Sequence, residues 1–301
     1  MNNSELMRAL LDAMEKDGVR PLEPLSSRLA EGRLVRFRAE GDRAGRRNGW
    51  ARLWPDGWAF GHWRLGVSRA GKASEVRAST RNERLRWERE LIAAKLRQAA
   101  ERAAAYAKGR QAALALWRSS PAAGAGHPYL RAKRMTPDGL RQSGRFLLVP
   151  MRHPRTGELR NVQRIACNGR KLFLPDARVS GLLWGRGEAG AVIVLCEGVA
   201  TAAAVHAATG LFAVAAFSKG ALPAAAAAIR TRWAAAALVI AADVDEDGDG
   251  QAAALVAARA MGGTVALPPR PSGWIGLGWD FADLWSANQA IAIRLALGVG
   301  A

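Results

Sequence analysis

From residue 191 onward, short apolar runs alternate with longer Ala-rich ones. "AVIVLCEG" (191–198) is a continuous apolar run rich in β-branched residues, the pattern of a strand buried on both faces. "VATAAAVHAATG" follows as a helix closed by Gly210. "LFAVAAFS" (211–218) predicts a second strand, and "PAAAAAIRTRW" (223–233) a helix with Pro223 near its start. "AALVIAADVD" (236–245) predicts a third strand, and "GQAAALVAARAMGG" (250–263) a helix stopped by glycines. "TVALPP" (264–269) predicts a fourth strand, ended by prolines. The alternation predicts an α/β domain with a central parallel sheet of about four strands flanked by helices. Ligands of such sheets bind beyond the C-terminal ends of the strands.

The first half reads differently. An N-terminal helical arm (1–32) precedes a small Trp-rich β module (33–76), in which Trp50, Trp54, Trp58 and Trp63 punctuate a Gly-rich segment. Large aromatics of this kind fill a small core; the alternative is a set of stacking platforms for single-stranded nucleic acid. Residues 77–120 form a charged connector helix of alternating sign, read as solvated. A basic α+β subdomain (121–189) leads into the α/β domain (190–290), and residues 291–301 are left as a C-terminal tail.

Charge sharpens this picture. The chain has 301 residues and a formal net charge of +18, and half of its residues are hydrophobic, which excludes a disordered basic tail. After residue 190 there are six cations and eight acids, leaving 38 cations and 18 acids, or +20, in residues 1–190. The eight acids fall in three short clusters: Glu197; the five of "DVDEDGD" (243–249); and Asp280 with Asp283. Glu197 and the Asp243 cluster stand at predicted strand ends. Cys167 and Cys196 offer no disulfide framework and suit a reducing cytoplasm. The N-terminal segment carries acids where a secretory signal would be apolar. The charge-free stretch 198–218 reads as helix, turn and strand because Gly210 breaks it, so no membrane span is expected.

Several carboxylates at close quarters repel one another and need cations or shifted pKa values. Hard oxygen ligands at a sheet edge suit Mg²⁺ or Mn²⁺, and a pair of such ions is a common device for phosphoryl and nucleotidyl transfer. A calcium EF-hand is disfavoured: position 12 of the loop starting at Asp243 is Ala254, and a strand precedes it. Two distant cysteines and four histidines give no zinc-ligand spacing, so no zinc is expected. "GVSRAGKAS" (66–74) approaches a P-loop but has Ala73 where the metal-binding Ser or Thr belongs, and reads as a basic loop.

These residues carry a resemblance. Glu197 after one apolar strand and Asp243-Val-Asp245 after another resemble the Toprim domain of bacterial primases, topoisomerases and some nucleases. "WDFADLW" (279–285) resembles the segment closing Toprim domains in plasmid- and prophage-encoded primases, with Ala282 in place of Asn. "HPYLRAKRM" (127–135), "LLVPMRHPRTGELRNVQRI" (147–165) and "GRKLFLPDARVSGLLWG" (169–185) resemble the basic segment before Toprim in that group, and 41–66 its N-terminal module. The resemblance implies Glu197, Asp243 and Asp245 as metal-binding catalytic acids, and Asp280 and Asp283 as a second acidic pair for metal. It implies Arg164, Lys171, Arg178 and Arg152 as contacts to nucleotide or template. Asp247 and Asp249 have no firm counterpart. The implied protein is a cytoplasmic primase-like nucleotidyltransferase of a mobile element, without zinc ribbon or helicase domain. It would use single-stranded DNA, ribonucleoside triphosphates, two Mg²⁺ or Mn²⁺ ions and a separate replicative helicase. A Toprim nuclease and a degenerate DNA-binding or partner-recruiting protein are the alternatives. A topoisomerase is disfavoured, with only Tyr106 and Tyr129 available as nucleophiles.

Overall fold

Leu6, Leu10 and Met14 recur every fourth residue along helix α1 (Asn3–Lys16) and are fully buried. In the computed structural model, which describes residues 3–29, 33–43, 45–72 and 81–300, this stripe lies on a four-stranded antiparallel sheet. The strands β1 (Leu34–Phe37), β2 (Gly49–Trp54), β3 (Gly57–His62) and β4 (Val67–Lys72) run in sequential order. Each of the three α1 side chains contributes about 1.5–3 kcal/mol by burial. The helix expected as an arm therefore shares one core with the sheet expected as a separate module. Phe37, Phe60, Leu53 and Val35 fill that core. The tryptophans do not: Trp58 packs at its margin, Trp50 and Trp54 stand on the opposite face, and Trp63 is 61% exposed. Period-two alternation decides this, because Trp50 and Trp54 share their face with Arg52 while Ala51 and Leu53 point inward. The P-loop-like stretch falls on edge strand β4; Ala73 lies outside the described residues.

The chain divides into two compact units, Met1–Leu96 and Arg97–Ala301. Helix α2 (Arg81–Ser119) crosses the boundary. Its last turns are not solvated: Ala113 is fully buried, and Leu114, Leu116 and Trp117 pack with it. They lie on an antiparallel sheet of β5 (Arg141–Ser143), β6 (Phe146–Arg152), β7 (Leu159–Ala166) and β8 (Lys171–Phe173). Gly109 permits a close approach there, since a Cβ at this position would lie 2.4 Å from the Asp176 carbonyl oxygen. Gly109→Ala should therefore lower stability by roughly 1–3 kcal/mol, although alanine is the better helix former by about 1 kcal/mol. A rise in melting temperature would refute that packing.

The other face of β5–β8, with helix α3 (Pro128–Ala132), packs on the α/β part through Leu147, Val149, Met151 and Ile165. That part holds β9 (Trp184–Arg186), β10 (Val192–Cys196), β11 (Phe212–Ala215), β12 (Ala237–Ala241) and β13 (Thr264–Ala266), in the order β13-β12-β10-β11-β9. Four strands are parallel, as the alternation predicts, but β9 adds an antiparallel edge on β11, so the sheet is mixed rather than parallel. Three residues are too few to show a period, and β9 precedes the expected domain start at 190. One sheet face is covered by α4 (Val199–Thr209), α7 (Phe281–Ser286) and α8 (Ala290–Ala296), the other by α5 (Leu222–Arg232) and α6 (Asp249–Met261). The segment expected as a tail thus contains a packed helix, with Ile293 fully buried. The charge-free stretch is α4, Gly210 and β11, and no helix among the described residues is long and apolar enough to cross a membrane.

Candidate active site

Parallel register sets the first acid. Cys196, the last residue of β10, pairs with Ala241 of β12, so Glu197 leaves the sheet at the same level as the Asp243 turn. The backbone N–H of Phe217, a non-glycine residue at φ +74°, donates to the Glu197 carbonyl at 2.8 Å. This sharp turn after β11 carries Lys219 back towards the acids.

A second register brings Asp280. Val244 and Trp279 exchange backbone hydrogen bonds of 2.9 and 3.0 Å as an antiparallel bridge, which sets Asp280 opposite Asp243. Burial and the charges of Asp280, Glu197 and Asp245, in that order, push Asp243 up to about 8, against partial relief from Lys171. Its Oδ1 is buried without a hydrogen-bond partner. Glu197 is raised by burial and by Asp245, and opposed by Lys171 and Lys219. Asp280 is raised by burial and by Asp283. An all-oxygen donor set, too densely charged to ionise fully by itself and containing an orphaned buried carboxylate oxygen, fits a hard divalent cation. Glu197, Asp243 and Asp245 would hold it, with Asp280 beside them. Among the described residues no group of three acid, His or Cys side chains yet stands in ligating arrangement.

Asp280 and Asp283 also have structural work. They form a reciprocal capping box at the start of α7, each carboxylate accepting the other's backbone N–H at 3.0 Å. Asp280 Oδ2 accepts from Thr201 at 3.1 Å, and Asp283 Oδ1 pairs with Lys133 Nζ at 3.1 Å. All four oxygens thus accept at least one hydrogen bond. Asp245 Oδ2 accepts from the Gly250 N–H at 3.0 Å and lies 3.4 Å from Lys219 Nζ, which also reaches Asp249 at 3.3 Å. Asp247 Oδ1 accepts the Asp249 N–H at 3.3 Å, within the exposed loop.

The four basic residues of the sequence reading do not converge. Lys171 pairs with Ile165 across β8 and β7, shares its face, and acts on both Glu197 and Asp243. Arg164 has the opposite parity: it lies over the Phe146 ring at 5.6 Å, on the side where β6 and β7 meet α2. Arg178 lines a cavity of about 560 Å³ with Tyr106, Arg110, His153 and Arg160. Arg152 donates to the Gly157 carbonyl at 2.9 Å and lines a separate cavity beside Trp184. The cations that do reach the acids include two the sequence reading leaves unassigned, Lys219 and Lys133. Lys219 was findable, since it follows the end of a strand adjacent to the one bearing Glu197.

In solved structures the chain is similar to part of a bacteriophage T7 assembly. That assembly is described as a lagging-strand DNA polymerase interacting with primase domains of two gp4 subunits bound to an RNA/DNA hybrid and dTTP. Identity is 15% and the TM-score 0.41, covering 53% of this chain and 81% of that one. It is also similar to the zinc-binding and RNA polymerase domains of the Aquifex aeolicus primase, at 15% identity and a TM-score of 0.45, covering 98% of this chain and 84% of that one. The family model described as Toprim domain matches residues 192–290, so the strand-end acids Glu197, Asp243 and Asp245 and the helix-capping Asp280 all lie within the matched segment.

Proposed function

We propose that the chain is a primase-like nucleotidyltransferase, synthesising short RNA primers on single-stranded DNA during replication of a mobile element, with a helicase supplied separately. One observation carries this reading: Lys171, from the basic sheet ahead of the Toprim domain, faces the Glu197 and Asp243 carboxylates. A triphosphate needs both signs of charge at one edge, carboxylates for its metal and ammonium groups for its oxygens. Bound Mg²⁺ or Mn²⁺, as one ion or two, would neutralise the phosphates and assist the attacking hydroxyl. Lys171 and Lys219 would orient the phosphate oxygens. The N-terminus of α4 has no side-chain cap, and a Cβ at Gly198 would lie 3.8 Å from Lys171 Nζ, so the helix offers backbone N–H donors beside them. Arg152, Arg164 and Arg178, away from the acids, are assigned to the template strand rather than to the reacting nucleotide.

Phosphodiester cleavage by the same acids is the second reading; the cationic sheet opposite them favours synthesis. Of the two tyrosines, Tyr129 is ill suited to a tyrosyl intermediate of strand passage, being buried with its hydroxyl pushed up to about 12 by burial and by Asp280. Incubating the protein with labelled ribonucleotides, a single-stranded template and Mg²⁺ or Mn²⁺ tests the assignment. Extension products are expected. Cleavage alone would favour the nuclease, and binding without chemistry would leave a recruiting protein.

A further inference from the structure

The outer face of the N-terminal sheet has a composition that its fold does not require. Helix α1 covers the other side. Alternation places Leu34 and Arg36 of β1 on this outer face, then Trp50, Arg52 and Trp54 of β2. Gly61, Ala59 and Gly57 of β3 lie opposite those three, followed by Ser68, Ala70 and Lys72 of β4. No position on it is acidic.

The indoles lie across the strands. A Cβ at Gly61 would meet the Trp50 ring at 2.7 Å, and one at Gly57 would meet Trp54 Nε1 at 3.1 Å. Both rings thus cover a glycine of the neighbouring strand and are half-buried on this face. Trp63 stands against Trp50 with ring centroids 6.1 Å apart, and the Arg52 guanidinium is 5.7 Å from the Trp54 ring. At about 3.3 Å per residue, the two platforms are roughly 13 Å apart along one strand. Beside them, at the β1 edge, a cavity of about 380 Å³ is lined by Arg28, Arg33, Arg36 and Arg47. Of these only Arg28 pairs with an acid, Glu23, in the contacts described.

We propose that this face binds single-stranded DNA, with bases stacked on Trp50 and Trp54 and the backbone phosphates held by Arg36, Arg52 and the arginine cavity. Flat aromatic platforms flanked by cations, with no acid between them, are complementary to a polymer of π-faces and regularly spaced negative charge. An acidic peptide would satisfy the arginines but leave the two aromatic platforms unused. The proposal rests on and deepens the reading of the chain as a template-using enzyme, and locates a template grip in the unit that does not carry the acids.

Anisotropy of labelled oligo(dT) on the full chain tests it. Trp50→Ala with Trp54→Ala should weaken binding by about tenfold or more, with the salt slope unchanged. Arg36→Gln with Arg52→Gln should instead lower the log–log salt slope by about 1.4, or 0.7 per phosphate. The corresponding Trp→Phe pair, which keeps a flat ring over each glycine, should retain most of the affinity. A mutation-free arm uses oligo(dT) bearing 5-iodouracil, photocrosslinked to the unaltered protein; adducts are expected on Trp50 or Trp54. Wild-type affinity in the folded Trp→Ala pair, or adducts confined to residues beyond 96, would overturn the proposal. Loss of binding there with Asp245→Asn still fully active would support the face and sink the catalytic reading. Unchanged binding with Asp245→Asn inactive would do the reverse.

Discussion

Asp245→Asn and Glu197→Gln should each slow primer extension by roughly a thousandfold while leaving oligo(dT) affinity within about twofold. The amide preserves size, and its oxygen can still accept the Gly250 N–H that Asp245 Oδ2 accepts at 3.0 Å, so the turn into α6 should persist. What is lost is charge at a point where three other carboxylates would supply the rest of a cation site. Lys219, which Asp245 shares with Asp249, keeps the second carboxylate as its partner and stays in place. A fall in the turnover number with little change in the Michaelis constant is the expected split. Near-normal extension by either variant would remove these acids from the chemistry.

The second large effect is on stability, and it has a definite sign. Asp243 is raised from 3.8 to about 8, chiefly by burial and then by Asp280, Glu197 and Asp245. A carboxyl raised on folding contributes stability that is fully present below 3.8 and is lost as pH climbs through about 8. Metal-free protein should therefore become less stable across that window, with a contribution approaching about 1.4 kcal/mol per pH unit. Asp243→Asn removes the titration. It should match the parent near pH 4 and exceed it increasingly towards pH 8, by roughly 5–15 °C in melting temperature. Mn²⁺ should reverse the order at pH 8, because the ion stabilises only a folded state with its ligands intact. Parallel pH profiles for the two proteins, without metal, would show that Asp243 is not held neutral by its surroundings.

The acids were legible because each follows a feature that periodicity detects. Glu197 and Asp243 end runs of apolar residues, and a parallel sheet gathers such ends at one edge. The partnership of Asp243 with Asp280 was less accessible, since it depends on a single bridge between Val244 and Trp279, which α6, β13 and an irregular loop separate in sequence. The basic residues show why a motif is weaker than a face. Lys171 and Arg164 both belong to stretches resembling primases, yet they lie on opposite sides of one small sheet. A shift of one residue in pairing reverses every side chain of a strand, and in β8, with three residues, no alternation reveals the parity. The tryptophans illustrate the same point. Their size suggested a core, but their two-residue phase with Arg52 puts Trp50 and Trp54 on the outer surface. Lys133 was invisible for another reason: its ion pair with Asp283 joins residues 150 apart in sequence.

The core that unites Ile165 and Met151 with Val199 and Phe281 has a mechanical meaning. Lys171 sits on the strand beside Ile165, and Glu197 closely precedes the helix that Val199 begins. The ammonium group and the carboxylates are thus mounted on one close-packed core. On the proposed function, their separation is settled during folding, so the entropy of arranging opposite charges around a triphosphate would not recur with each nucleotide. Such preorganisation suits a repetitive polymerisation, in which the incoming substrate changes identity at every step while the electrostatic frame stays constant.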